Sequence, residues 1–372
     1  MSYRASASKN SKRKVTSRRN FLKKTGALAA LTAVSVPGWQ AALANPGSGP
    51  EEKQKQPASP RILPKRLREG DLIGLVTPGS SVSQMELAEC MAKLESMGFR
   101  TTYNDTVLSE YGYFAGPDQE RADELMDMFS REEVDAIWCV RGGYGSIRIL
   151  ELLDYQVIRQ NPKIFIGYSD ITAIHTAIWQ ESGLVSFHGP VGTSEFNSFS
   201  KRSIRKVVMD PRDAYPYPYN REKGTRENPE YDRYTLSGGT AEGALIGGNI
   251  SVLDSLIGTR FEPDFENKLV YLEDVGEKTY RVDKMVFHLL SGTNLKQAAG
   301  IVMGAFDKCN INEPPALSLK TALDDLLKPL GIPVSYGLSF GHIKRMLTIP
   351  NGIRAGLDAD KNTFRLLEPA VV

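Results

Sequence analysis

Cysteine is scarce in this sequence, and the common metal-binding patterns are missing with it. The 372 residues contain three cysteines, Cys90, Cys139 and Cys309, and no pair has the short spacing of a zinc or iron–sulfur motif. A thiolate metal centre and a small fold held by several disulfides are therefore excluded. We expect buried free thiols, with one disulfide as the alternative.

A long hydrophobic run is also absent. The apolar stretch at residues 26–36 is much shorter than the roughly 20 residues that span a bilayer. No cysteine follows it at the position of a lipoprotein anchor. We therefore expect no stable membrane anchor.

Most of the chain lacks an excess of positive charge. The formal net charge is +2, but residues 1–44 hold nine basic residues and no acidic one. The remaining residues carry 37 basic and 44 acidic side chains, a formal charge of −7. Phosphate contacts need clustered positive charge, so this composition disfavours nucleic-acid binding by this part of the chain, and we expect no nucleic-acid partner.

The basic start has the order of an export signal. Residues 16–24, TSRRNFLKK, precede the apolar stretch, and residues 42–44, ALA, offer a small-residue cleavage site. Residues 1–44 therefore resemble a twin-arginine signal peptide, with a disordered basic tail as the alternative. The resemblance implies a protein delivered to the periplasm or outside the cell. Residues 45–62, rich in Pro, Gly, Ser, Gln and Lys, are expected to be a flexible tether.

Strands and helices alternate through residues 63–192, which we expect to form one domain. Short apolar runs predict the strands, and helical spacing of apolar residues predicts the helices between them. This alternation favours right-handed βαβ units and a parallel sheet, with ligands at the carboxyl ends of the strands. The expected strands are residues 72–76, 101–103, 135–140, 164–166 and 184–187, and the expected helices are residues 84–97, 119–129, 145–153 and 169–182.

The composition changes after this domain. Residues 193–236 are rich in Ser, Arg, Asn, Pro and Tyr and are expected to connect two domains. Tyr215, Tyr217 and Tyr219 could line a cleft or hold this segment against the body of the protein. Residues 237–372 predict a more strand-rich α/β domain. Its expected strands are residues 241–246, 268–272, 300–303, 332–336, 346–349 and 364–366, and its expected helices are residues 249–257, 280–290 and 317–327.

The most informative stretch is the strand-to-helix corner at Ser169. Residues 164–166 are apolar, Gly167 ends the strand, and helical spacing of apolar residues follows. A sharp corner would expose the Ser169 hydroxyl and direct the next backbone N–H groups toward developing negative charge. This placement favours a nucleophile, with an ordinary helix N-cap as the alternative.

A second loop at the same sheet edge is rich in glycine. The sequence RGGYG at residues 141–145 follows an expected strand and permits close approach of N–H groups to a ligand. We expect the N–H of Asp170 and that of Gly142 or Gly143 to form an oxyanion hole, with a plain glycine turn as the alternative. The loop is a weak match to a phosphate-binding loop, because the Lys-Ser/Thr pair of a P-loop is missing and the pattern is not G-x-G-x-x-G.

A serine nucleophile needs a general base, and the sequence has four histidines. His342 lies in a glycine-flanked loop between two expected strands and is the best candidate. His175 and His288 fall on expected helices, where capping or packing accounts for them. His188 ends a strand at the same sheet edge, where a turn role competes with a role in the site.

An acid that orients the imidazole is expected directly after the strand at residues 268–272. Glu273 continues the register of that strand, whereas Asp274 and Glu277 are expected to be solvated or to stabilise the next helix. The order Ser169, Glu273, His342 then supplies nucleophile, acid and base. His342 would take the serine proton and return it to the leaving amine, while Glu273 stabilises the imidazolium.

Six motifs occur in order along the chain. They are RGGYG at 141–145, IGYSDIT at 166–172, FHGP at 187–190, LIGGN at 245–249, LEDVGE at 272–277 and FGH at 340–342. This set resembles the LD-carboxypeptidases, the murein tetrapeptide carboxypeptidase family. The resemblance implies a serine peptidase without metal or other cofactor that removes the terminal D-alanine from a muropeptide tetrapeptide, with Ser169, Glu273 and His342 as its triad. It also implies a homodimer whose chains have an N-terminal flavodoxin-like domain and a C-terminal swivelling β/α domain.

Export departs from the cytoplasmic recycling role of familiar family members, so the substrate would be periplasmic peptidoglycan or released muropeptide. Arg141 is expected to hold the terminal carboxylate of the substrate, with a structural ion pair as the alternative. Tyr144 and His188 are further candidates for substrate binding. Two other functions stay open: a peptidase similar to the microcin C resistance enzyme, which cleaves an acyl-nucleotide antibiotic, and a muropeptide-binding protein without turnover.

Overall fold

The computed structural model describes residues 60–210, 215–218, 229–310 and 315–372. The expected signal peptide and residues 45–59 of the expected tether lie outside the described residues, as do residues 211–214 and 219–228 of the expected connection. Within the described ranges, no helix is both long enough and apolar enough to cross a membrane.

Strands and helices alternate along most of the described chain. The strands, in chain order, are β1 (Leu72–Val76), β2 (Arg100–Tyr103), β3 (Ala136–Cys139), β4 (Ile164–Gly167), β5 (Ser186–His188), β6 (Tyr215–Pro216), β7 (Tyr234–Ser237), β8 (Thr240–Asn249), β9 (Lys268–Val275), β10 (Gly300–Asp307), β11 (Val334–Tyr336), β12 (Ile349–Asn351), β13 (Arg354–Asp358) and β14 (Thr363–Leu366). The helices are α1 (Gln84–Glu95), α2 (Asp118–Ser130), α3 (Ser146–Ile149), α4 (Tyr155–Gln160), α5 (Thr172–Ser182), α6 (Ser198–Val208), α7 (Ile250–Leu256), α8 (Thr279–Gly292) and α9 (Leu319–Leu327).

The first sheet contains the run β2-β1-β3-β4-β5, in which all neighbouring strands are parallel. This is the strand order of flavodoxin-like doubly wound sheets. The central strands are apolar on both faces because both faces are covered: Trp138 joins one buried cluster, while its neighbours Ile137 and Cys139 join another. The predicted parallel α/β fold is therefore confirmed.

The second sheet has eight strands in the order β6-β14-β13-β8-β9-β10-β11-β7. The four strands from β8 to β11 are parallel, and the outer strands pair antiparallel. A third buried cluster joins this sheet to α7, α8 and α9 through residues such as Leu253, Val286 and Leu323. The two-part architecture with a more strand-rich second half is thus confirmed as well.

Near its end, the chain returns to the first sheet. β12 pairs antiparallel with β5, with Ile349 opposite His188, so the strand expected within the second domain belongs to the first sheet instead. One buried apolar cluster also includes residues of both sheets, among them Phe187 of the first and Tyr271 of the second. The two sheets therefore share a continuous core.

The segment expected to be a plain connection contains α6, which buries its apolar face. Farther along, Tyr217 is buried, donates its hydroxyl to the Thr348 carbonyl at 2.6 Å, and stacks on the Phe364 ring. Tyr217 thus holds this segment against the body of the protein, whereas Tyr219 lies outside the described residues.

All three cysteines lie in the described part of the chain. Cys90, Cys139 and Cys309 are buried and form no disulfide. Burial raises the pKa of the Cys90 thiol to about 12, so this side chain is a neutral packing group. Buried free thiols are the state that the sequence predicted.

Candidate active site

The loops that follow β1, β3 and β4 leave the first sheet at one edge. In this strand order the direction of winding reverses between β1 and β3, and ligands bind there, outside the carboxyl ends of the strands. The Ser80 N–H donates to the Gly142 carbonyl at 3.0 Å and ties the first two loops together. A Cβ built on Gly142 would lie 3.2 Å from the Ser169 Cβ in the third loop. The three loops therefore form one wall.

Ser169 stands at a strained corner between β4 and α5. Its φ is +64°, in the left-handed region that residues other than glycine enter only at a cost. A 3-10 turn over Ser169–Ile171 leads into α5, and no side chain caps either the turn or the helix. The N-cap alternative is therefore wrong, and the corner presents the hydroxyl at the sheet edge.

His342 and Glu273 reach Ser169 from the second sheet. His342 Nε2 lies 3.0 Å from Ser169 Oγ, and His342 Nδ1 lies 2.8 Å from Glu273 Oε2. Glu273 is fully buried in β9, whereas the His342 side chain is 18 % exposed. A Cβ on Gly341 would lie 3.0 Å from Glu273 Oε2, and its φ is +110°, so glycine lets this loop approach the carboxylate. The three side chains thus form one hydrogen-bonded line.

Each member of the His342–Glu273 pair controls the ionisation of the other. Burial lowers the pKa of His342, but the adjacent Glu273 carboxylate outweighs burial and holds this pKa above its ordinary value. Burial raises the pKa of Glu273, but the charge and hydrogen bond of His342 outweigh it and hold this pKa below its ordinary value. Glu273 is therefore an anion that stabilises an imidazolium at His342.

The glycine loop packs closely against the serine corner. A Cβ on Gly142 would lie 3.0 Å from the Tyr168 carbonyl oxygen and 3.5 Å from the Asp170 nitrogen. Gly143 has φ +95°, and a Cβ there would overlap Ser80 Oγ at 2.3 Å. The backbone of Gly142 therefore lies beside the Ser169 corner, and Gly143 rests against the loop after β1. An oxyanion hole formed by Asp170 with Gly142 or Gly143 stays a prediction.

Arg141 and Tyr144 lie on the exposed part of the same loop. The Arg141 side chain is 46 % exposed and lies 3.8 Å from the Glu86 carboxylate, a distance at which a surface ion pair contributes little. Tyr144 is about half exposed, and its ring centroid is 5.9 Å from that of Tyr113. Arg141 Nη1 also donates to the Ser81 carbonyl at 3.3 Å. Both side chains are exposed to solvent at this edge of the sheet.

His188 lies behind the triad rather than in an open site. Its ring is fully buried among Tyr168, Tyr271 and Phe340, at centroid distances of 5.9, 5.5 and 6.3 Å. Burial lowers the pKa of His188 to about 4, so the ring is neutral. This position has no surface for a substrate, which corrects the expectation of direct substrate binding. His188 instead packs under Tyr168, whose ring also contacts His342 at 4.8 Å.

The two remaining histidines have other partners. His175 is buried and hydrogen-bonds Ser186 Oγ at 2.8 Å and the Gly167 carbonyl at 2.9 Å, so it supports the end of β4. His288 lies on the exposed face of α8 and pairs with Asp254 at 2.8 Å. The packing prediction holds for His175, whereas at His288 a surface hydrogen bond with Asp254 takes the place of packing.

Contacts behind the triad join α5 to the second sheet. The Asn249 N–H donates to Thr172 Oγ1 at 3.0 Å, and Asn249 Nδ2 donates to Asp274 Oδ1 at 3.0 Å. Asp274, expected to be solvated or to stabilise a helix, is buried instead, and burial raises its pKa to about 6. Sequence reasoning assigned no role to Thr172 or Asn249. The glycines of the motif LIGGN were the available signal of a close contact. A Cβ on Gly248 would lie 2.4 Å from Thr172 Oγ1, so glycine is needed for β8 to approach Thr172.

Comparison with known proteins identifies the family. Residues 73–189 match the LD-carboxypeptidase N-terminal domain, and residues 242–357 match the LD-carboxypeptidase C-terminal domain. Over 306 residues the chain is 36% identical to a probable murein peptide carboxypeptidase of Bacillus subtilis (strain 168), which covers 81% of this chain and 92% of the relative. The chain belongs to the LD-carboxypeptidase family. It is a serine carboxypeptidase, and therefore a hydrolase.

Two solved structures resemble this LD-carboxypeptidase. The MccF-like protein from Bacillus anthracis str. Ames matches with a TM-score of 0.75 and 27% identity, over 82% of this chain and 99% of that one. A muramoyltetrapeptide carboxypeptidase from Oxalobacter formigenes matches with a TM-score of 0.68 and 27% identity, over 79% of this chain and 97% of that one. The two-part α/β architecture is thus common to this chain and both structures.

Proposed function

We propose that this LD-carboxypeptidase is exported and releases the terminal D-alanine from peptidoglycan tetrapeptides, by hydrolysis of the amide bond after the L-centre of the third residue. The observation that carries the proposal is the line from Ser169 Oγ through His342 to the buried Glu273, in a chain of this family. The printed name of the Bacillus subtilis relative, a probable murein peptide carboxypeptidase, supports the substrate class.

In the proposed acylation step, Ser169 Oγ attacks the carbonyl carbon of the scissile amide while His342 Nε2 takes the hydroxyl proton. The N–H groups of Asp170 and of Gly142 or Gly143 stabilise the oxyanion, and Glu273 stabilises the imidazolium. The carbon–nitrogen bond then breaks, and His342 gives its proton to the amine of D-alanine, which leaves.

In the proposed deacylation step, a water oxygen attacks the ester carbonyl while His342 Nε2 takes one of its protons. The bond between the acyl carbon and Ser169 Oγ then breaks, and the proton returns to the serine. The tripeptide leaves with a new carboxylate, and the enzyme is restored.

A carboxypeptidase also needs a cation for the terminal carboxylate of its substrate. We assign this role to Arg141, because its half-exposed guanidinium lies at the start of the glycine loop and can bind a carboxylate with two hydrogen bonds. Tyr144, on the same loop, would contact the peptide beside it. Arg141→Ala should raise the KM for tetrapeptide by roughly 10-fold or more, and an unchanged KM would remove this assignment.

The direct test is mass spectrometry of a muropeptide tetrapeptide incubated with the wild type and with Ser169→Ala. We expect the wild type alone to release one alanine. A matched tetrapeptide with L-alanine at the fourth position should stay intact, which controls for the configuration of the bond. If folded wild-type protein left the D-alanine substrate intact, the tetrapeptide assignment would fail.

A peptidase similar to the microcin C resistance enzyme is the second candidate, and the likeness to the MccF-like structure favours it. If the wild type cleaved an acyl-nucleotide and left the tetrapeptide intact, the protein would be assigned to this second function. A muropeptide-binding protein without turnover is the third candidate. A fluorophosphonate probe separates it from both peptidases, because only an activated Ser169 reacts.

Export and self-association complete the proposal. Export is supported by TSRRNFLKK at residues 16–24 and ALA at residues 42–44. Exchange of both Arg18 and Arg19 for lysine should retain the protein in the cytoplasmic fraction, and normal export of that variant would contradict the signal. A homodimer is proposed from the family resemblance, and light scattering after gel filtration should then give about twice the mass of the processed chain.

A further inference from the structure

The guanidinium of Arg121 is buried at the back of the glycine loop. This residue belongs to α2, and its side chain is only 1 % exposed. Its Nη1 donates to the Gly145 carbonyl at 3.0 Å and also to the Pro78 carbonyl, and its Nε donates to the Gly116 carbonyl at 3.2 Å. One side chain therefore joins the loop after β1, the loop before α2 and the loop after β3.

Removing a guanidinium from water is costly unless its donors are paired, and here they are paired with loop carbonyls. The Phe114 ring covers the group at 4.9 Å, and Asp118 binds Nη2. A Cβ on Gly145 would lie 2.9 Å from Arg121 Nη1 and 2.8 Å from the Phe114 ring. The glycine thus allows the loop to rest directly on the guanidinium.

The peptide unit between Gly145 and Ser146 is held at both ends. Its carbonyl accepts from Arg121, and its N–H donates to Asp170 Oδ2 at 2.9 Å. Asp170 directly follows Ser169 and is buried. The glycine loop is therefore fixed between the guanidinium on one side and the residue after the nucleophile on the other.

We infer that Arg121 is a positioning residue for the oxyanion hole: together with the Asp170 carboxylate it orients the glycine loop, and so the N–H of Gly142 or Gly143, relative to Ser169. Arg121 therefore affects the rate at which the substrate carbonyl reacts. It does not contribute to substrate affinity, because its guanidinium is bound to protein carbonyls. This inference rests on the proposed peptidase function.

The chain offers a matched control in Arg148. This arginine binds the same Asp118 carboxylate, with Nε 3.0 Å from Oδ2, and covers the same Phe114 ring at 4.8 Å. Its side chain is 46 % exposed, and its guanidinium donates to no loop carbonyl among the described residues. Arg121→Lys and Arg148→Lys each keep a positive charge and each remove a guanidinium that binds Asp118. Only the first substitution removes hydrogen bonds to the loop carbonyls.

The experiment measures kcat and KM for tetrapeptide, the rate of Ser169 labelling by a fluorophosphonate, and the thermal unfolding of each variant. In Arg121→Lys we expect kcat and the labelling rate to fall on the order of 100-fold, with KM nearly unchanged. Arg148→Lys should match wild type. If Arg121→Lys does not fold, Gly145→Ala serves instead, because its Cβ pushes the loop off the guanidinium and should lower the same two rates.

Folded Arg121→Lys with wild-type labelling and kcat would overturn the inference, and so would a raised KM with unchanged kcat. Gly145→Ala with wild-type rates would overturn it too. A wild type that neither labels nor cleaves would instead overturn the proposed function, so the two failures are distinguishable.

Discussion

Replacement of Glu273 by glutamine isolates the electrostatic part of the triad. Glutamine keeps the size of the side chain but removes the negative charge that lies 2.8 Å from His342 Nδ1. Burial lowers the pKa of His342, and Glu273 is the largest influence that opposes burial, ahead of Asp274 and Asp307, so this pKa should fall in Glu273→Gln. Only neutral His342 can accept the Ser169 proton. In the wild type kcat/KM should therefore fall as pH drops through the raised pKa, and in Glu273→Gln this acid limb should move to lower pH.

The maximal rate should also fall. Two unit charges 2.8 Å apart interact by about 6 kcal/mol at an effective dielectric constant of about 20. The neutral imidazole of the resting enzyme already hydrogen-bonds the carboxylate, so a smaller part, about 4 kcal/mol, is specific to the transition state. This part corresponds to a loss of about 10³-fold in kcat.

The assay is the pH dependence of kcat/KM for wild type, Glu273→Gln and Glu273→Asp, with thermal unfolding of each protein. Glu273→Asp keeps the charge, so it should lose rate through the longer distance while its acid limb stays close to that of the wild type. An acid limb at unchanged or higher pH in folded Glu273→Gln would refute the reasoning.

Three further predictions follow from the site. Ser169→Gly should be inactive yet about 1 kcal/mol more stable than Ser169→Ala, since glycine adopts φ +64° freely, and equal melting temperatures for the two variants would contradict this. Gly142→Ala should lower kcat by about 100-fold, because its Cβ would press on the Ser169 Cβ at 3.2 Å and displace a loop proposed to donate to the oxyanion, and steady-state kinetics with a wild-type kcat would refute it. Asp274, whose pKa burial raises to about 6, holds a proton in the folded state that the unfolded chain has released, so the free energy of unfolding falls as pH rises from about 4 to 6. In Asp274→Asn this decline should be smaller by roughly 3 kcal/mol. Urea unfolding of both proteins at pH 4 and pH 7 measures it, and an equal change in the free energy of unfolding between the two pH values would contradict the assignment.

Most of the first sheet can be predicted because short stretches of sequence indicate its strands and helices. The strands β1, β3 and β4 are short apolar runs, and apolar residues at helical spacing indicate α1, α2 and α5. Membership of a sheet is a long-range property, however. Nothing in the sequence near β12 indicates that it pairs with β5 rather than with a strand of the second sheet. The helix α6 was missed for a different reason: its serines, lysines and arginines resemble loop composition, and only one face of it is buried.

The candidate site is predictable where residues lie near the carboxyl ends of strands. Ser169 follows β4, Glu273 lies in the last half of β9, and His342 lies in the loop after β11. Ligands of parallel sheets bind outside the carboxyl ends of the strands. Burial is harder to predict from local sequence. The motif FHGP reads alike whether His188 faces a cleft or packs under Tyr168, and an acid at the position of Asp274 is ordinarily solvated. The contacts of Arg121 depend on three loops that are far apart in the chain, so no local pattern indicates them.

The triad is divided between the two sheets, so the distance between Ser169 and His342 depends on how the sheets are placed. Ser169 follows β4 of the first sheet, whereas Glu273 and His342 belong to β9 and to the loop after β11 of the second. A small displacement of one sheet would therefore lengthen the 3.0 Å contact between Ser169 and His342 while the His342–Glu273 pair moves as a unit. Thr172→Val, which removes the acceptor of the Asn249 N–H at this junction, should accordingly lower kcat without moving the acid limb of the pH profile. Glu273→Gln should lower kcat and also move the acid limb to lower pH. This difference separates the positioning of the nucleophile from the ionisation of its base.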